Sequence, residues 1–207
     1  MRIIAGKFRR RLLRVNPGET TRPITDRAKV ILFDRLMEVL PEARVLDLFS
    51  GTGSMGLEAI SRGAASVVCV EADRKAHELL QENVRELDLQ DQVVCWRTDA
   101  LRSTFKPRGV EGFYPYDLIF FDPPYRRLDK LKPKDLLFDT LERLASPELS
   151  TPDVLMIIRC NKEAEFSLPD VWDKGEPLVV GGMGIWFTRR RGWVDPTEVP
   201  ATPESES

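Results

Sequence analysis

The chain has 207 residues, of which 42% are hydrophobic and 31% charged, the composition of an ordinary globular protein. No apolar run approaches the roughly 20 residues that a membrane-spanning helix needs, and the sequence after Met1 becomes basic without the apolar core of a signal peptide. We therefore expect a cytoplasmic protein that has no membrane partner.

The net charge of −2 is unevenly distributed along the chain. Residues 1–36 carry ten Lys and Arg against three acids, a net charge of +7, which leaves −9 for the remainder. A basic segment on an acidic body indicates an anionic polymer as its partner, although a solvated charged hairpin would have the same composition. The basic residues that we assign to such a partner are Arg2, Lys7, Arg9, Arg10, Arg11, Arg22 and Arg27.

The first 40 residues are predicted to form a small basic extension. Residues 2–6 and 11–15 predict the two strands of a short β-hairpin. A helix then begins after Thr25, a suitable N-cap, and its apolar residues recur at helical spacing until Pro41 ends it.

From residue 41 onward, strands and helices alternate, which is typical of a parallel sheet covered by helices on both faces. The predicted strands are residues 44–49, 66–70, 93–97, 116–121 and 154–159, and the predicted helices are residues 54–62, 73–87 and 133–144. Residues 177–180 and 185–190 predict a hairpin around a glycine turn, so the sheet has seven strands with an antiparallel edge. We assign residues 41–194 to this domain and predict that residues 195–207, rich in Pro, Glu, Ser and Thr, are disordered.

Cysteine and histidine usage argues against metal and triad chemistry. The three cysteines are odd in number and widely spaced, which disfavours a disulfide framework or a zinc site, and no metal is expected. His77 is the only histidine. Because it lies in a charged helix we expect it at the surface, which argues against a serine or cysteine triad.

A glycine-rich turn connects the first strand of the domain to its helix. Gly51, Gly53 and Gly56 match the spacing that lets a ligand approach the backbone at a helix N-terminus. Glu71 ends the next strand, where a carboxylate can accept hydrogen bonds from ribose hydroxyls. The pattern predicts a nucleoside cofactor without identifying it.

Three features favour S-adenosylmethionine over a nicotinamide dinucleotide: two acids and the motif that ends the fourth strand, residues 122–125. Asp47 precedes the glycines and suits a sulfonium and an amino group better than a pyrophosphate. Asp99 follows the third strand, where it can accept a hydrogen bond from the adenine amine. Both acids could instead be helix caps or turn formers.

The fourth strand ends in Asp122-Pro123-Pro124-Tyr125, a stiff turn because proline has a fixed φ and no N–H. The Asp122 carboxylate and the Pro123 carbonyl can hold the exocyclic amine of a base, and Tyr125 can stack on the ring, a contact worth ~1–3 kcal/mol. A base inside a duplex could not reach this turn, so the sequence predicts an unpaired or flipped nucleotide as the methyl acceptor.

The Asp-Pro-Pro-Tyr motif is similar to that of amino-directed nucleic-acid methyltransferases. Together with residues 1–11, 21–29 and 47–64, it makes the chain resemble the RsmD family of bacterial 16S ribosomal RNA guanine-N2 methyltransferases. The resemblance covers roughly residues 1–190. The family often has glycine where this chain has Arg10.

The resemblance implies a Rossmann-like methyltransferase fold, an S-adenosylmethionine donor and a partner that is ribosomal RNA or a small ribosomal subunit particle. It assigns residues 1–40 to RNA binding, and we expect a monomer. It implies cofactor contacts from Asp47, Phe49, Gly51, Gly53, Glu71 and Asp99, and guanine contacts from Asp122, Pro123, Pro124 and Tyr125. Three alternatives stay open: an amino-methyltransferase acting on another RNA or on DNA adenine, a nicotinamide-dependent oxidoreductase, and a non-catalytic RNA-binding protein.

Overall fold

The computed structural model describes residues 1–15, 24–124, 128 and 131–193. The predictions for Arg22, for Tyr125 and for the tail at 195–207 lie outside these residues. The strands are β1 Arg44–Leu48, β2 Ser66–Glu71, β3 Val93–Arg97, β4 Tyr116–Phe121, β5 Ser150–Asn161, β6 Trp172–Val180 and β7 Met183–Arg190. The helices are α1 Asp26–Arg35, α2 Ser54–Ser61, α3 Arg74–Glu86 and α4 Leu136–Leu144, with a short 3-10 helix at Glu111–Phe113.

The seven strands form one sheet in the order β3-β2-β1-β4-β5-β7-β6. The first five strands pair in parallel, whereas β7 is antiparallel to both β5 and β6. This is the mostly parallel seven-stranded sheet with an antiparallel edge that the sequence predicts. The strand order reverses at β1, which lies between β2 and β4, and ligands of such sheets bind beyond the carboxyl ends of the strands at this reversal.

Two apolar cores lie on the two faces of the sheet. Alternate residues of β1 point to opposite faces, so Val45 packs with α1, α2 and α3, whereas Leu46 and Leu48 pack with α4. Each large apolar side chain that is fully buried contributes ~1.5–3 kcal/mol. The sheet is therefore held rigidly, and its strand ends provide a fixed platform.

Residues 1–15, called the N-terminal arm below, lie against α1, α2 and α3. The predicted hairpin is reduced to one antiparallel bridge between Arg2 and Leu12, because the loop between its legs is pressed onto α2. A Cβ on Gly6 would lie 1.7 Å from the Ser61 carbonyl oxygen, so only glycine fits there. Arg10 adopts a φ of +71°, a left-handed conformation that costs a non-glycine residue ~1–2 kcal/mol.

The structure corrects the prediction for His77, which is buried. Its Nε2 lies 3.2 Å from the Cys95 carbonyl oxygen, because His77 falls on the face of α3 that packs on the sheet, next to Ala76 and Leu80. Periodicity therefore outweighs the polar character of the residue.

Helix α4 begins after Asp135, three residues later than predicted. Cys69, Cys95 and Cys160 are free thiols. In the described ranges, no cluster of His, Cys, Asp and Glu could hold a metal ion, and no helix is long and apolar enough to cross a membrane.

Candidate active site

The cofactor turn, residues 50–54, connects β1 to α2 and follows the geometry that its glycines predict. A Cβ on Gly51 would meet nothing within 4 Å, which leaves room for a ligand at the backbone. Gly53 is the N-cap of α2 with a φ of +87°, and a Cβ there would lie 2.4 Å from Leu80 Cδ1. At Gly56 a Cβ would lie 2.8 Å from Val67 Cγ1, so this glycine lets α2 pack closely on β2.

Asp47 is buried beneath this turn. Its Oδ2 accepts a hydrogen bond of 2.9 Å from the backbone N–H of Gly56 in the first turn of α2, as the helix-capping alternative anticipated. Burial raises the pKa of the Asp47 carboxyl to about 7, the Gly56 bond opposes this rise, and the nearby charges of Asp122 and Glu71 add to it. A cationic ligand near this carboxyl would favour its ionised form.

Glu71 and Asp99 follow neighbouring strands but have different surroundings. The two carboxylate oxygens of Glu71 accept backbone N–H bonds of 2.8 Å from Gly51 and 2.7 Å from Asp73, which fixes the carboxylate beside the cofactor turn. Asp99 is exposed, and its Oδ1 accepts a bond of 3.0 Å from the Leu101 N–H. That bond fits the turn-forming alternative and leaves the second carboxylate oxygen for a ligand.

The predicted methyl-acceptor residues begin where β4 ends. Asp122 forms an ion pair with Arg159 of β5, and both side chains are largely buried, with 19% and 12% exposed. Pro123 is buried and Pro124 is exposed. Sequence reasoning missed Arg159; the signal was a basic residue closing the apolar run of the strand next to β4.

An aromatic contact joins the residue before the cofactor turn to the residue before the acceptor motif. Phe49, half-buried with a φ of +61°, makes an edge contact with Phe121, their ring centroids 5.8 Å apart at an interplanar angle of 87°. Phe121 immediately precedes Asp122. The structure thus brings Asp47, Phe49, Glu71 and Asp122 together at the carboxyl ends of β1, β2 and β4, as the sequence predicts.

The basic residues of the N-terminal arm are exposed, but not all are unpaired. Arg2 forms an ion pair of 2.7 Å with Asp26, and Arg11 donates a bond of 3.0 Å to the Glu86 carbonyl oxygen. Lys7 lies over the Phe8 ring at 5.2 Å. Arg9 and Arg10 of the arm are exposed to solvent, as is Arg27 at the start of α1, so this side of the molecule presents positive charge.

A cleft of about 580 Å³ lies at the opposite edge of the sheet, where β1 and β4 begin. Two of its charged residues, Arg44 and Asp117, form an ion pair of 2.9 Å. None of the predicted site residues lines it.

Comparison with known proteins places the chain among methyltransferases. A sequence model of a family described as "Conserved hypothetical protein 95" matches residues 1–187. The Escherichia coli (strain K12) protein "Ribosomal RNA small subunit methyltransferase D" is 34% identical over 193 residues, covering 92% of this chain and 90% of the relative.

Solved structures agree with this comparison. The structure of "hypothetical protein TTHA0928" from Thermus thermophilus is 31% identical, covers 91% of this chain and 99% of that one, and superposes with a TM-score of 0.68. A Salinibacter ruber RNA methyltransferase in complex with S-adenosyl-L-homocysteine shares the fold at 17% identity, with a TM-score of 0.55 and coverages of 87% and 97%.

Proposed function

Because this chain belongs to the family described as Conserved hypothetical protein 95, we propose that it methylates the exocyclic N2 amine of a guanine in the RNA of the small ribosomal subunit. The family and its ribosomal RNA methyltransferase relatives make the chain an S-adenosylmethionine-dependent rRNA methyltransferase. The main observation in favour of an amine as the methyl acceptor is the position of the Asp122 carboxylate at the end of β4. Its neighbour Phe121 contacts Phe49, which immediately precedes the cofactor turn.

The residues around the cofactor turn fit the methyl donor. Open space at Gly51 and the N-terminus of α2 admit a ligand close to the backbone, and the Glu71 carboxylate is held where a ribose could bond to it. We assign donor binding to Asp47, Phe49, Gly51, Gly53, Glu71 and Asp99. S-adenosylmethionine supplies a methyl group on a positively charged sulfur, which the nearby Asp47 carboxylate would attract. The two negative phosphates of a nicotinamide dinucleotide would instead be repelled by this carboxylate.

Asp122 and Pro123 act on the acceptor. The lone pair of an exocyclic amine is delocalised into the ring, so the amine is a weak nucleophile. Hydrogen bonds from its N–H groups to the Asp122 carboxylate and the Pro123 carbonyl hold it and favour the pyramidal form. The carboxylate would also stabilise the positive charge that develops on nitrogen as the new N–C bond replaces the S–C bond of the donor. S-adenosylhomocysteine would then be the leaving group, and the proton would pass from nitrogen to solvent.

The N-terminal arm supplies the contacts to the RNA backbone. Its exposed arginines carry charge without base specificity, so their part in binding should weaken as salt rises. The partner is ribosomal RNA, either free or within the assembled subunit. Replacing Arg9, Arg10 and Arg11 together should reduce the slope of log affinity against log salt by about two units or more; a slope equal to that of the wild type would remove the arm from the interface.

The test of this function is methyl transfer from radiolabelled S-adenosylmethionine to small subunits and to protein-free 16S rRNA from cells lacking the gene, followed by mass spectrometry of the product nucleosides. We expect N2-methylguanosine in one of the two substrates. Methylation confined to adenine, or to DNA, would contradict the proposed acceptor.

A matched pair of variants on β4 tests the role of Asp122. Asp122→Ala should lower the transfer rate about 10²–10³-fold while leaving S-adenosylhomocysteine affinity nearly unchanged. Asp117→Ala is the control, because Asp117 also pairs with an arginine but lies at the other end of the strand. If both variants lose activity equally, the effect is on the fold of β4 and not on the acceptor.

A further inference from the structure

A buried polar network holds the first leg of the N-terminal arm. Lys29 of α1 and Glu58 of α2 are both fully buried and form an ion pair of 3.0 Å. Lys29 Nζ also donates to the Arg2 carbonyl oxygen at 3.1 Å and to the Ser54 hydroxyl at 3.2 Å. One ammonium group therefore joins the arm to the first residue of α2.

Glu58 contacts the same leg through its carboxylate. It accepts the backbone N–H groups of Ile4 at 2.8 Å and Ala5 at 3.1 Å, and a side-chain bond of 2.9 Å from Arg62. Since these contacts are to the main chain of the arm, they fix its path independently of the side chains that the arm presents to solvent.

Asn83 of α3 holds the second leg in the same manner. Its side chain is 1% exposed. Asn83 Oδ1 accepts the Arg14 N–H at 2.7 Å, and Nδ2 donates to the Arg14 carbonyl oxygen at 3.1 Å. The same Nδ2 donates to the Thr52 carbonyl oxygen at 3.0 Å, and Thr52 lies between the first two glycines of the cofactor turn.

Both legs of the arm are thus bonded to side chains that also bond to the cofactor turn, at Thr52 and at Ser54. A partial opening of the arm leaves the buried amide of Asn83 with unmade bonds, which costs ~1–3 kcal/mol for such a group. Mobility of the arm and mobility of the turn are therefore linked. Whatever orders one of them lowers the entropy that remains to be lost when the other binds its ligand.

We propose that Asn83 is a positioning residue that couples the N-terminal arm to the cofactor turn, so that RNA and S-adenosylmethionine strengthen each other's binding. The inference rests on the function proposed above, in which the arm binds RNA and the turn binds the cofactor. By linkage the two effects are equal: the factor by which cofactor tightens RNA is the factor by which RNA tightens cofactor.

The test measures the affinity of a fluorescein-labelled 16S rRNA transcript with and without saturating S-adenosylhomocysteine, together with S-adenosylhomocysteine affinity by calorimetry. For the wild type we expect the nucleoside to tighten RNA binding about five-fold or more. We call the RNA dissociation constant without S-adenosylhomocysteine, divided by the constant with it, the coupling ratio. A coupling ratio of one in a protein that binds both ligands would refute the coupling alone, whereas failure to bind S-adenosylhomocysteine would refute the proposed function itself.

Two variants of Asn83 and one control locate the coupling. The first variant is Asn83→Ala, and the second is the equally large Asn83→Asp, which lacks the donors to Thr52. Both should bind the two ligands with a coupling ratio close to one. Ser61→Ala is the control, because Ser61 bonds to Ala5 and Phe8 of the arm but not to the cofactor turn. It should weaken RNA binding and keep the wild-type ratio. Folded Asn83 variants that retain the full ratio would overturn the assignment.

Discussion

Replacing Asp47 by Asn should stabilise the ligand-free protein at neutral and higher pH, and its stability relative to the wild type should increase with pH. In the folded protein the pKa of this carboxyl is raised from 3.8 to about 7, chiefly by burial. The protonated form is favoured in the fold, so its stabilising effect is complete below pH ~4 and is lost as pH rises through 7. Burial of the ionised form then destabilises the protein by roughly 4 kcal/mol.

The asparagine keeps an oxygen that can accept the Gly56 N–H, but it also adds a buried NH₂ group that has no acceptor among the described residues. This unmade bond lowers the free energy of unfolding by ~1–3 kcal/mol at every pH. The measurable quantity is therefore the change with pH. Urea denaturation from pH 5 to 8 should show the free energy of unfolding of Asp47→Asn rising relative to the wild type by about 3 kcal/mol. The matched control is Asp99→Asn, at an exposed carboxylate.

The same substitution should weaken the binding of S-adenosylmethionine. The ligand is a cation and Asp47 lies under the cofactor turn, so loss of the carboxylate removes an attraction while it increases stability, a common trade-off at functional sites. A pH-independent difference in stability between Asp47→Asn and the wild type would refute the reasoning. An S-adenosylmethionine affinity equal to that of the wild type would show that Asp47 does not contribute to donor binding.

Three further tests concern packing, burial and the acceptor. Gly56→Ala should lower the free energy of unfolding by about 1–3 kcal/mol through overpacking against β2, whereas Gly51→Ala, with open space but a φ of +55°, should lose ~1–2 kcal/mol from the backbone alone; urea denaturation distinguishes them. Lys29→Met breaks a buried ion pair and should cost about 3–5 kcal/mol, while Glu78→Ala, at an exposed pair, should change the melting temperature little. Arg159→Gln should slow single-turnover methyl transfer about ten-fold or more, because it removes a charge-assisted bond to the acceptor carboxylate; an unchanged rate would make that pair structural.

The sheet and its strand ends could be predicted from the sequence because their signals are local. Apolar runs of strand length bounded by prolines and glycines predict β1 and β4 within a residue of their ends. Asp47 is the last residue but one of β1, Glu71 ends β2 and Asp122 follows β4. Parallel pairing brings the carboxyl ends of these strands to the same side of the sheet. No long-range information was needed for these features.

The polar contacts inside the fold could not be predicted in this way. Lys29, Glu58 and Asn83 lie at helix positions where charged and amide residues are ordinarily solvated, and only tertiary packing shows that they contact the arm. His77 was assigned to the surface for the same reason. The pairing of Arg159 with Asp122 depends on the register between β4 and β5, where Phe121 lies opposite Ile158, and register is not readable from one strand.

Two unfavourable features of the fold lie beside the cofactor turn, at residues that the proposed function uses. Asp47 is an ionisable group buried at a cost in stability, and Phe49 is a bulky residue with a φ of +61°, a conformation that costs ~1–3 kcal/mol. The β-sheet does not require the conformation of Phe49, since β1 has ended at Leu48, and at position 47 an apolar residue would pair equally well with β2 and β4. Strain of this kind persists where a ligand or a reaction depends on it. Here a bound cation would stabilise the buried carboxylate of Asp47. The Phe49 backbone conformation places its ring against Phe121, which immediately precedes Asp122.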